Sequence, residues 1–134
     1  MASGTSDTRP LSPHLQVWRW HATMLSSILH RASGIINYIG AIALTAWLVL
    51  LATGTEGCVA ILTTGSLSWL TTIGLVVLTW SASYHLLNGL RHLAWDIGKG
   101  FDPAGSNMRS VLIIALSFLP PALIWFFALT GGAS

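Results

Sequence analysis

Charged side chains are scarce in this sequence. Of its 134 residues only 7% are Asp, Glu, Lys or Arg, while 53% are apolar, and a soluble domain has about a quarter of its residues charged. Between Arg31 and Arg91 only Glu56 is charged, and no charge follows Arg109. A helix that crosses a bilayer needs about 20 apolar residues, so these gaps exclude an ordinary water-soluble fold and indicate membrane spans.

Cysteine and clustered basic residues are lacking as well. Cys58 is the single cysteine, which excludes a disulfide framework and a cysteine pair for metal or redox chemistry. The six Lys and Arg residues are too few for the basic surface that nucleic acid requires, so no nucleic-acid partner is expected. Residues 1–30 contain no signal-peptide core, and we expect the first span to direct the chain to a bacterial inner membrane.

Three apolar segments predict an all-α membrane protein. We expect spans at residues 32–51, 67–90 and 110–129, because only helices satisfy all their peptide groups within one segment in hydrocarbon. An N-terminal interfacial segment, residues 1–31, would precede a three-helix anchor, residues 32–134. Pro120 and Pro121 are expected to bend the third span.

The distribution of Lys and Arg predicts the orientation. Short loops rich in these residues stay in the cytoplasm. Basic residues precede the first span and flank the second connector, and the connector at residues 53–66 has none. We therefore expect the N-terminus and second connector in the cytoplasm, with Cys58 and the C-terminus on the far side.

One face of the second span is predicted to be small and polar. At about 100° per residue that face contains Gly74, Ser81, His85, Asn88, Gly89 and His92. The remaining face, which can meet lipid, contains Leu75, Val76, Leu78 and Leu86. A histidine at membrane depth usually faces the interior of a bundle or a site.

His85 has two interpretations. It can form an interhelical hydrogen bond, or it can bind a haem iron axially, with Gly89 leaving room for a flat macrocycle. His92 lies about 10.5 Å further along the same face, where a haem propionate would reach. Because His92 shares the face of His85, and the third span has no histidine, a second axial ligand must come from another chain, or the iron is five-coordinate.

Ser27 and Arg31 form a second candidate site before the first span. They are four residues apart and therefore lie one above the other on a helix. A hydroxyl and a guanidinium can hydrogen-bond a quinone carbonyl and stabilise the negative charge it acquires on reduction. The other interpretation is that Arg31 extends to the lipid headgroups.

Two motifs resemble the cytochrome b membrane-anchor subunit of succinate dehydrogenase, respiratory complex II. The first is RPLSPHLQVWRW at residues 9–20, followed by SILHRASG at residues 27–34, and the second is HLLNGLRHLAWDIG at residues 85–98. The second motif is the more specific. The third span matches only as an apolar segment.

The resemblance implies a function and a set of partners. An FAD flavoprotein oxidises succinate, an iron-sulfur subunit passes the electrons on, and ubiquinone is reduced in the membrane; the anchor chain performs no succinate chemistry. It also implies that a second small anchor subunit shares the haem b. The implied roles are haem axial ligand for His85, ubiquinone-site wall for Ser27 and Arg31, and propionate contact or site periphery for His30, His92 and Asp96.

Two other functions are compatible with the sequence. A fumarate reductase anchor has similar architecture, so the direction of the reaction in the cell stays open. A small three-helix transporter or assembly protein would use the polar face as a substrate path or helix interface. A path across the membrane needs polar groups through its whole depth, whereas the far halves of the three spans are mostly aliphatic. This favours the electron-transfer interpretation.

Overall fold

The structure, a computed structural model, describes residues 18–131 and consists of helices and their connections within that range. The helices are α1 (Ala22–Ala52), α2 (Glu56–Thr63), α3 (Ser68–Asp96), α4 (Pro103–Leu116) and α5 (Leu119–Gly131). The described part of the chain has no strand. The predicted all-α class is confirmed, whereas residues 9–17 of the first motif lie outside the described residues.

Three stretches are long and apolar enough to cross a membrane: Ala22–Ala52, Ser68–Asp96 and Gly105–Gly131. They correspond to the three predicted spans. Helix α1 has 31 residues and is therefore about 46 Å long, which exceeds the roughly 30 Å of bilayer hydrocarbon. It is not interrupted at residues 31 and 32, where the first span was expected to begin. The charge of Arg31 limits how much of the helix can lie in hydrocarbon, but it does not end the helix.

The third span is divided into two helices. Helix α4 ends at Leu116, residues 117–118 form a turn, and α5 begins at Leu119. Pro120 and Pro121 are the second and third residues of α5 and have no N–H to donate to the carbonyls four residues earlier. The interruption thus lies where the sequence predicted a bend.

Helix α3 is the central helix of the bundle and contacts each of the other four helices. Two indoles link it to the third span, since Trp80 Nε1 donates to Ser117 Oγ at 3.1 Å and Trp125 Nε1 donates to Thr79 Oγ1 at 3.1 Å. Large apolar side chains remain exposed, for example Leu86 at 64% and Phe127 at 66%. Such a surface suits lipid as its surroundings.

The contact between α1 and α3 depends on a small residue near its middle. A Cβ added to Gly40 would overlap the side chain of Leu78, so the absence of a side chain lets the two helices approach. Leu78 therefore packs on α1, and its expected place on the lipid-facing side is wrong. Leu75, Val76 and Leu86 are exposed as expected.

The connector between α3 and α4 turns sharply and then starts a helix with a charged cap. Gly98 and Gly100 adopt φ of +76° and +86°, a region that glycine enters without steric cost. Asp102 caps α4 by accepting a hydrogen bond from the Gly105 N–H at 2.7 Å. It also pairs with Arg109 at 2.7 Å. Both bonds favour the carboxylate and hold the pKa of Asp102 below its ordinary value, with the Arg109 hydrogen bond contributing most.

Candidate functional site

Buried polar side chains gather where the N-terminal part of α1 meets the C-terminal part of α3. Ser26, Tyr84 and Asn88 are at most 1% exposed and Arg91 is 7% exposed. Ser26 Oγ donates to Asn88 Oδ1 at 2.9 Å and accepts from Arg91 Nη1 at 3.1 Å. Tyr84 Oη donates to the Ser26 carbonyl at 2.7 Å and lies 3.1 Å from Ser26 Oγ. This hydrogen-bond network fixes the register of the two helices.

Arg91 extends the network to α4. Its Nη2 donates to Ser106 Oγ at 2.8 Å, and its guanidinium lies 4.3 Å from the centre of the Trp95 ring. No carboxylate pairs with it among the described residues. Sequence reasoning missed this role, because Arg91 was interpreted as a flank of the connector. Its position three residues after Asn88, on the same helical face, was the available signal.

Three imidazoles form a stack beside this network. The rings of His30 and His85 lie with centroids 4.1 Å apart and planes 14° from parallel. His30 also stacks on His92, with centroids 5.0 Å apart. The structure therefore brings together the three histidines singled out in the sequence, two from α3 and one from α1.

The His85 ring, which belongs to α3, is held against α1. Its Nδ1 lies 3.1 Å from Ser33 Oγ, so the interhelical hydrogen bond considered for this residue is present. A Cβ added to Gly34 would stand 3.2 Å from His85 Cε1. Within the described residues, Nε2 has no hydrogen-bond partner. Sequence reasoning missed Ser33 and Gly34. A Cβ at Gly89 would meet nothing within 4 Å, and the room for a macrocycle expected there stays a prediction.

Ser27 and Arg31 lie on another face of α1. Both are exposed, whereas Ser26, His30 and Ser33 face α3. Asp96 is also exposed, at the end of α3. It makes no ion pair with any described residue, and the ion pair of this region joins Asp102 to Arg109. The predicted site residues thus form an inner group of three histidines and an exposed group of Ser27, Arg31 and Asp96.

The described residues contain no group of three or more His, Cys, Asp or Glu side chains that could hold a metal ion by themselves. Stacked rings present their faces to each other, whereas two imidazoles that bind one iron point their nitrogens at each other. His30 and His85, as they lie, therefore cannot ligate the same iron from opposite sides. Among the described residues, His85 Nε2 and the buried His30 Nδ1 are imidazole nitrogens without a hydrogen-bond partner at the contact between α1 and α3.

These features define a multi-pass helical membrane protein with polar and histidine side chains concentrated near one end of the bundle. Residues 5–124 match the family described as succinate dehydrogenase/fumarate reductase transmembrane subunit. The chain belongs to this family.

Several relatives agree with this assignment. The chain is 39% identical over 118 residues to a succinate dehydrogenase cytochrome b556 subunit from Paracoccus denitrificans, with 86% of this chain and 88% of that protein covered. It is 32% identical over 117 residues to the b556 subunit of Rickettsia felis, with 87% and 90% covered. It is also 36% identical over 117 residues to the mitochondrial cytochrome b560 subunit of Mus musculus, with 86% and 69% covered.

Proposed function

We propose that this chain is the membrane-anchor subunit of a succinate:ubiquinone oxidoreductase, which shares a haem b and a ubiquinone-reduction site with partner subunits. The single observation that carries the proposal is the His85 ring, which is held between α1 and α3 through Nδ1 while no described residue bonds Nε2. Relatives are named cytochrome b subunits of succinate dehydrogenase, which supports a haem b as the cofactor and complex II as the assembly. The partners would be an iron-sulfur subunit that delivers electrons, an FAD flavoprotein and a second small anchor subunit.

The residues present fit a haem on one side. His85 would supply an axial nitrogen, while His30 and His92, stacked beside it, would line the periphery on the side of the polar network. When bound, a haem b supplies a one-electron redox centre. Because no described histidine faces Nε2 from the opposite side, the second ligand would come from the second anchor subunit.

Ser27 and Arg31 would contribute to the ubiquinone site. Their exposure on a face of α1 turned away from α3 leaves them available to a surface completed by other subunits. A guanidinium can hydrogen-bond a carbonyl oxygen and stabilise its developing negative charge. Exposed Asp96 at the same end of the bundle would lie at the periphery of that region.

Two alternatives have less support. A transporter needs polar groups along its whole path, but every buried residue of α1 lies in its N-terminal half, at Ser26 and Ser33. A fumarate reductase anchor is compatible with the family description, although the relatives compared are named for succinate dehydrogenase. The proposed orientation keeps the N-terminus and the polar end of the bundle in the cytoplasm of a bacterial cell, with Cys58 on the far side of the inner membrane.

The test compares variants in the purified complex. His85→Leu should abolish or greatly alter the reduced-minus-oxidised b-type spectrum, whereas Leu86→Ala, one residue further and facing lipid, should leave it unchanged. An unchanged spectrum in His85→Leu would contradict axial ligation.

Arg31→Lys separates the two interpretations of Arg31. Lysine keeps the charge and can reach the headgroups, but it lacks the planar fork of donors. If Arg31 bonds the quinone, quinone reduction should fall about tenfold or more, as expected for the loss of a charged hydrogen bond. Succinate oxidation with an artificial acceptor should be retained. Ser27→Ala should show the same split, and equal loss of both activities would indicate an assembly defect instead.

A further inference from the structure

We propose that Ser33 is a positioning residue for His85: its hydroxyl oxygen accepts the Nδ1 proton and so leaves the lone pair on Nε2, the nitrogen offered to haem iron. This inference rests on the proposed function. It assigns a role to a residue of α1 for which neither the motif SILHRASG nor the relatives' names imply one.

The proton count carries the first step. Ser33 Oγ lies 2.9 Å from the carbonyl of His30 and 3.1 Å from His85 Nδ1. A carbonyl can only accept, so the single hydroxyl proton of Ser33 goes to His30. The Ser33 oxygen must then accept from His85, which requires the proton of the neutral ring to be on Nδ1. Nε2 is consequently the unprotonated nitrogen.

The surroundings leave Ser33 little freedom to make another bond. Ser33 is 1% exposed, and its backbone carbonyl accepts a hydrogen bond from Ser81 Oγ of α3 at 2.9 Å. One face of the His85 ring stacks on His30, and one edge lies so close to Gly34 that a Cβ added there would stand 3.2 Å from Cε1. Tautomer and ring orientation are therefore set by the same short segment of α1.

The chemical consequence concerns the strength of the ligand. A histidine that binds metal through one nitrogen usually donates its other N–H to an acceptor, which fixes the tautomer and makes the ligating nitrogen more basic. A more basic ligand favours ferric over ferrous iron. The Ser33 hydrogen bond should thus tighten haem binding and lower the midpoint potential of the haem.

The experiment uses the intact complex with its haem and compares Ser33→Ala with Ser110→Ala. Ser110→Ala is the matched control, because it removes a buried hydroxyl of the same bundle that bonds the Ser106 carbonyl of its own helix and neither Ser33 nor His85. Ser33→Ala should raise the midpoint potential and increase haem dissociation about tenfold or more. Ser110→Ala should leave both values close to those of the unmodified complex. Equal behaviour of the two variants would overturn the proposal.

A high-resolution structure of the unmodified, haem-containing complex gives a second test if Ser33→Ala does not assemble. The proposal requires iron on His85 Nε2 and Ser33 Oγ within 3.5 Å of Nδ1. Iron on Nδ1, or a longer Oγ to Nδ1 distance with iron on Nε2, would overturn the role of Ser33 alone. Absence of haem at His85 in the complex would instead overturn the proposed function.

Discussion

Two adjacent serines of α1 should respond very differently to the same substitution. Ser26 is fully buried, whereas Ser27 is exposed and makes no hydrogen bond with the described residues. Ser26→Ala deletes an oxygen that contacts Asn88 at 2.9 Å and both Tyr84 and Arg91 at 3.1 Å. We expect this change to destabilise the bundle and Ser27→Ala to leave its stability nearly unchanged.

The magnitude follows from the number and kind of bonds lost. Interhelical hydrogen bonds in membrane proteins average about 0.6 kcal/mol each, which gives about 2 kcal/mol for three. The Arg91 bond is charge-assisted and raises the cost to about 3 kcal/mol. After the change, Arg91 Nη1 and Asn88 Oδ1 keep only their weak contact with each other at 3.5 Å, and Asn88 Nδ2 and Arg91 Nε are already buried without a hydrogen bond among the described residues. The equilibrium constant for unfolding should rise about a hundredfold or more.

The assay is denaturant unfolding of the purified complex in mild detergent, followed by tryptophan fluorescence, for each serine variant. A double-mutant cycle with Tyr84→Phe adds a specific readout, because the two changes remove parts of one network and should be non-additive. A difference of less than about 0.5 kcal/mol between the Ser26 and Ser27 variants, which is typical of surface substitutions, would refute the importance of the network.

Three further predictions concern other parts of the fold. Gly40→Val should force α1 away from Leu78 and cost about 1–3 kcal/mol in unfolding free energy, whereas Gly74→Ala, where a Cβ meets nothing within 4 Å, should cost far less in the same assay. Because the pKa of Asp102 is lowered on folding, its carboxylate contributes stability above the ordinary carboxyl pKa of about 4, and this contribution is lost as the pH falls through the lower folded value. The Asp102→Asn variant should therefore lose less stability than the unmodified chain in that acid range, as measured by thermal unfolding. Cys58 is exposed, so a membrane-impermeant maleimide should label it from the periplasmic side and not in inside-out vesicles, and the reverse pattern would contradict the proposed orientation.

The three spans were predictable because hydrocarbon imposes a simple rule on composition. Charge-free stretches must become helices there, and the structure has them. The N-terminal extent of α1 was not predictable in this way. Residues 22–31 precede the charge-free segment, so composition does not require them to be helical, and they extend the helix that the segment forms. The short α2 helix, Glu56–Thr63, was not predicted either, because it lies in a connector where composition does not require a helix.

The site was predictable within α3 but not between helices. Helical periodicity places Ser81, His85 and Asn88 on one face, and that face packs on α1. The partners across the contact depend on the relative height of two helices, which periodicity within one of them does not contain. Ser33 is 52 residues from His85, so its contact with the ring became visible only in three dimensions.

The length of α1 and α3 has a consequence for the lipid around them. With 31 and 29 residues, both helices exceed the hydrocarbon thickness by roughly 14 to 16 Å, and the buried cation Arg91 lies near the end of α3. Arg91 is buried in protein five residues, about 7.5 Å, from the end of α3, and a charge on the part of a helix that extends beyond the hydrocarbon costs far less than one at the bilayer centre. Longer acyl chains would move the boundary of the hydrocarbon toward Arg91, so bilayer thickness should affect the polar end of the bundle before it affects the apolar end.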